Sequence, residues 1–159
     1  MAKLLLSLHV LAAILTVGPI TVAASLFPRY ARQAAAPDGG GAPSARSLAV
    51  AGVLHRICRG YAAVGIAVPV FGLATGAQLG ILTDAWLVAS MVLTALAAAL
   101  LVLVILPRQE DLLPEGDGPA EPRARALAAR LAMTTGVFNL LWAVVVVLMI
   151  VRPGSTTSA

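Results

Sequence analysis

Four stretches of about twenty residues, each free of Lys, Arg, Asp and Glu, constrain this chain more than anything else in it. They cover residues 4–27, 61–82, 85–106 and 131–151. Runs of that length match a bilayer hydrocarbon core of roughly 30 Å at 1.5 Å per helical residue. In hydrocarbon every backbone N–H and C=O needs a partner within the protein, which leaves helices and closed barrels. A barrel needs alternating apolar and polar positions, and none of the four runs has them. The expected fold is all-α: a polytopic membrane protein with a single domain over 1–159, built as a four-helix transmembrane bundle.

Composition points the same way. Hydrophobic residues make up 60% of the 159 and charged ones 11%, against about 45–50% and 25% in soluble domains. A water-soluble fold of this composition would expose a large apolar surface. Little chain is left over for a soluble catalytic module. The net charge of +4 raises nucleic acid as a partner, but the basic residues flank the apolar runs and aromatics are only 4%. That distribution suits anionic lipid headgroups and lacks the basic stripe of a nucleic-acid binder. The lone Cys58 excludes an internal disulfide and any CxxC metal site.

Between the runs, residues 31–45 (ARQAAAPDGGGAPSA) and 107–123 (PRQEDLLPEGDGPAEPR) read as flexible loops, and 152–159 as a disordered tail. Residues 46–60 either extend the second helix backwards or lie along the interface. Arg29, Arg32, Arg46, Arg56, Arg59, Arg108, Arg123, Arg125 and Arg130 fall on one side, and only Lys3 and Arg152 on the other. By the positive-inside rule, residues 28–60 and 107–130 are cytoplasmic and both termini lie outside the inner cell membrane. The first run also resembles a signal peptide, with Lys3 ahead of it and Val22-Ala23-Ala24 as a cleavage site. Its length favours an uncleaved helix.

Gly72, Gly76 and Gly80 repeat every fourth residue and define a shallow face for close helix packing. Ala95 and Ala99 of the third span form a matching face. Gly18-Pro19 predicts a bend or local break in the first helix, with Thr16 and Thr21 placed to satisfy freed backbone groups. Thr135 and Asn139 are candidates for hydrogen bonds between helices.

Ionisable residues inside a span are functional candidates. His9 is the clear case, and His55 lies just ahead of the second span. Two histidines in a four-helix bundle raise a shared haem, yet the predicted topology puts them near opposite surfaces. His9 alone reads first as an interhelical hydrogen-bonding residue. His55 and Cys58 share a helix face, but two ligands do not make a zinc site, and no metal site is expected. Arg56 and Arg59, with Tyr61, fit lipid phosphate contact at the interface. No catalytic constellation is visible, so no enzyme and no catalytic residue is expected.

The opening residues 3–32 resemble the small, uncharacterised four-span membrane proteins common in actinobacteria. Within them, Leu8-His9-Val10-Leu11-Ala12-Ala13 is similar to the first helix of the CopD and HemJ groups. Where those groups continue with a Trp-Val-Gly-Gly type of motif, this chain has Leu15-Thr16-Val17-Gly18-Pro19. The resemblance implies haem or copper handling, and it transfers to His9 alone. Three functional readings follow. The first is a structural or accessory component of a membrane complex, with itself or other membrane subunits as partners. The others are a haem- or copper-associated module at His9 and a small-solute transporter built around the Gly18-Pro19 break.

Overall fold

The computed structural model describes residues 1–35, 44–113 and 121–154. It contains α1 (Ala2–Ala35), α2 (Ala45–Val64), α3 (Ala67–Leu79), α4 (Ala85–Leu100), a π-helical turn (Leu101–Ile105), α5 (Leu106–Asp111) and α6 (Glu121–Val151). These join into four rods of 34, 35, 27 and 31 residues, each long and apolar enough to cross a membrane. The first rod packs on the second and fourth, and the fourth on the third. The second and third rods meet chiefly where α2 touches α5, which closes the bundle at its arginine-rich end.

At 1.5 Å per residue the rods run about 40–53 Å, well beyond a hydrocarbon core of roughly 30 Å. The surplus lies at the arginine-rich end. Residues 31–35 and 45, read as loop, are helical, as are 107–111 and 121–123. Residues 36–43, 114–120 and 155–159 lie outside the described residues. Alanine, arginine and glutamine are good helix formers, so leaving the apolar run does not end the helix. Ser44 caps α2 by accepting the Ser47 N–H at 3.4 Å. The extension is packed: Ala31, Ala51, Leu112, Ala124 and Ala128 share one core with Ala24, Phe27, Leu131 and Phe138. Ala23 and Ala24, the small residues of the signal-peptide reading, are buried in that core.

The predicted break at Gly18-Pro19 is not there. The first helix runs unbroken through Pro19 and Pro28. The Thr16 hydroxyl donates to the Ala12 carbonyl at 2.6 Å, one turn short of the Leu15 carbonyl that Pro19 leaves without its usual donor. The interruption falls instead in the second rod, at Gly65-Ile66. Pro69 has no N–H to give the Gly65 carbonyl, which takes the Val68 N–H at 3.0 Å. A β-carbon at Gly65 would sit 3.1 Å from the Tyr61 oxygen and 3.3 Å from that of Ala62, so a side chain there would press on the preceding turn.

The three registered glycines do not form one packing face. A β-carbon at Gly72 would lie 3.0 Å from the His9 ring, and one at Gly76 would lie 2.9 Å from Leu82 and 3.1 Å from Leu87. Gly80 ends α3 with φ +69°. There its N–H reaches the Ala77 carbonyl, and that of Ile81 reaches the Gly76 carbonyl at 3.1 Å. This is the Schellman ending that favours glycine. The face that α3 presents is covered mainly by α1, whereas Ala95 and Ala99 point outward.

Along the third rod, Ala97, Leu101, Ile105 and Gln109 are all buried. Steps of four residues drift about 40° each in an α-helix, so Gln109 would swing about 120° away from Ala97. The wider π turn between them absorbs that drift. It is what aims Gln109 into the bundle.

Candidate functional site: two histidine clamps

His9 lies on α1 and reaches the second rod just past its interruption. Its Nδ1 is 2.8 Å from the Val68 carbonyl. A carbonyl only accepts, so Nδ1 carries a proton, and in the neutral ring Nε2 keeps its lone pair. The imidazole lies over Gly72, where any β-carbon would press on the ring. Gly72→Val should therefore lower stability by about 1–3 kcal/mol through overpacking, read as a lower midpoint of thermal unfolding in detergent. An unchanged midpoint would mean that His9 is not seated there.

His55 lies where α2 meets α5. It is buried inside α2, with Cys58 one turn on, while Arg56 and Arg59 face outward. The His55 Nδ1 lies 3.0 Å from the Oε1 of Gln109, a side chain with 0% exposure. The Gln109 amide nitrogen faces the Cys58 sulfur at 3.7 Å. These contacts together orient the amide, with its oxygen accepting from His55 and its N–H₂ donating to sulfur. The His55 Nε2 is 3.6 Å from Glu110, which is largely exposed. Gln109 falls in the stretch read as loop, and only the π turn brings it inward. The one sign in the sequence was Leu112-Leu113, an apolar pair amid acids.

The two histidines do not share a site. His9 meets the second rod at Val68 and Gly72, whereas His55 sits thirteen residues before Val68, about 20 Å along a helix. A bis-histidine haem within one chain does not fit that separation. Among the described residues no three His, Cys, Asp or Glu side chains converge as a metal site requires.

Other polar contacts also join helices. The Asn139 amide donates to Ser25 at 3.1 Å, and Arg108 donates to Thr134 at 2.9 Å. Thr135 Oγ1, Asn139 Oδ1 and Trp142 Nε1, one face of α6, are buried without a hydrogen-bond partner among the described residues. At the other end of the bundle, the Trp86 indole N–H donates to Asp84 at 3.2 Å. Arg152 stacks 5.5 Å above the same ring, tying the end of α6 to the start of α4.

No protein-family model, curated protein or solved structure matches the chain.

Proposed function

We propose that this chain is a multi-pass integral protein of the inner cell membrane with a structural or accessory role, assembled with itself or with other membrane subunits. Its arginine-rich end, with residues 28–60 and 107–130, faces the cytoplasm, and both termini face outward. One observation carries the reading: polar side chains bond from helix to helix within the bundle. His9 is tied to Val68, His55 to Gln109, Asn139 to Ser25 and Arg108 to Thr134. The outer surface is apolar over most of the rods, with Leu15, Leu103, Met133 and Ile150 all exposed. Ala132 and Gly136, four apart on the exposed side of α6, let another helix approach closely. Purification in mild detergent followed by a mass measurement should find an oligomer or a stoichiometric membrane partner. A strictly monomeric protein with no partner would contradict the proposal.

A haem- or copper-associated module at His9 is the second reading, and the ring's tautomer favours it. Metal-binding imidazoles commonly donate the other ring N–H to a carbonyl or carboxylate, as His9 does to Val68. One imidazole supplies a single ligand, so any further ligand comes from a partner or a second copy. An absorbance spectrum with metal analysis separates the readings: no Soret band and no bound copper removes the second. Transport has no comparable support, because α1 continues through Gly18-Pro19.

A further inference from the structure

Arg56 occupies an unusual place on the outer face of α2. It borders a groove of about 460 Å³ lined by Val53, Arg56, Ile57, Gly60, Tyr61 and Val64. It also borders a second, shallower one lined by Gly52, Leu48 and Leu113. The first groove is a single helical stripe, with residues recurring every third or fourth position. Gly60 is its floor, since a β-carbon there would meet nothing within 4 Å. Its walls are aliphatic apart from the Tyr61 ring and Arg56, which stands one turn in from Val53 at the upper end. Arg59, one turn further on, is exposed beside it. Neither arginine has an acidic partner among the described residues, where Glu121 pairs with Arg125 and Glu110 faces the His55 ring.

Depth matters as much as charge. Counting about twenty residues back from Leu79, the end of the second rod, places the hydrocarbon border near Arg59 and Tyr61. Arg56 then lies at headgroup level, with the groove running from it toward the bilayer interior at Val64. Tyr61, an aromatic of the type enriched at membrane borders, flanks the passage between the two. The stem of an arginine can lie along apolar wall while its guanidinium stays at a phosphate.

We infer that this face of α2 is a binding site for an anionic phospholipid. Arg56, assisted by Arg59, holds the headgroup phosphate, and one acyl chain lies along the groove over Gly60 toward Val64. The inference rests on the membrane reading above. It adds a defined lipid site to it, where general attraction between a basic end and an anionic leaflet would hold lipid diffusely.

The test is reconstitution of the full chain into nanodiscs of phosphatidylcholine with and without about one-third phosphatidylglycerol, followed by native mass spectrometry of the released protein. The wild type should retain phosphatidylglycerol in preference to phosphatidylcholine. A basic residue near an anionic surface is worth about fivefold in binding, so Arg56→Gln or Arg59→Gln should lower retention about fivefold and the double variant about thirtyfold. Gly60→Leu, which fills the groove and leaves both charges in place, should also lower retention. Equal retention of both lipids by the wild type would overturn the lipid site while leaving the membrane reading intact. So would a Gly60→Leu variant that retains lipid as the wild type does. Loss of a dimer in Gly60→Leu, without loss of lipid, would show the groove to be an interface between copies and would also overturn it. A chain that fails to enter nanodiscs at all would overturn both.

Discussion

Phe27→Ala should destabilise the bundle by about 3–5 kcal/mol, the range for removing a buried phenylalanine. Phe27 has 0% exposure and sits in the core shared by α1, α2, the third rod and α6. Removing its ring would open a cavity at the end of the first apolar run, where the bundle passes into its arginine-rich end. Leu15 on the same helix is the natural control, since it is 63% exposed. Leu15→Ala should change stability by no more than about 0.5 kcal/mol. Unfolding titrations in mixed micelles would read both variants. Equal effects would mean that the two residues face similar surroundings and that α1 is rotated from the orientation described.

The second large effect is expected at Gln109, and here the neighbouring residue decides which interaction matters. Gln109→Leu keeps the bulk but removes the acceptor for His55 and the donor to Cys58. A buried imidazole N–H left without a partner costs about 1–3 kcal/mol. Glu110 also faces His55, at 3.6 Å, but its side chain is 58% exposed. Solvent-exposed ion pairs contribute about 0–1 kcal/mol, so Glu110→Gln should have at most a small effect. The buried amide therefore outweighs the charge beside it. If Glu110→Gln proved the more damaging of the two, His55 would be held by charge and not by the amide.

Both residues show what hydropathy reads and what it does not. Apolar runs report the thickness of the solvent a helix crosses, so the existence and order of four rods were legible. The lengths of the rods were not. Residues 31–35, 107–111 and 121–123 are polar enough to end a hydropathy window, yet all are helical, with Pro107 and Pro122 accommodated. Proline and glycine were legible as punctuation but not as to where it falls. Pro19 is accommodated in α1, whereas Pro69, with Gly65 four residues ahead, tightens the second rod.

The candidate site divides the same way. The interhelical hydrogen bond of His9 follows from an imidazole inside an apolar run, and Val68 accepts it. His55 was obscured by Arg56 and Arg59, which drew the whole stretch toward the interface. One residue of helix, about 100° of turn, separates each from its neighbour, placing His55 and Cys58 inside and the arginines outside. Gln109 depends on a π turn whose five residues, Leu101–Ile105, are all aliphatic. No residue in that run marks the change of pitch.

The most direct measurement is the orientation of the four rods in an intact cell. Single cysteines introduced at Thr83, in the exposed turn between α3 and α4, and at Ala45, at the exposed start of α2, would be probed with a membrane-impermeant maleimide. The native Cys58 is buried and serves as the unlabelled control. Labelling of Thr83→Cys in intact cells, and of Ala45→Cys only after permeabilisation, is the predicted result, with the protein staying in membranes through alkaline carbonate extraction. Release by carbonate, or labelling of Ala45→Cys from outside, would contradict a four-span protein with its arginine-rich end in the cytoplasm.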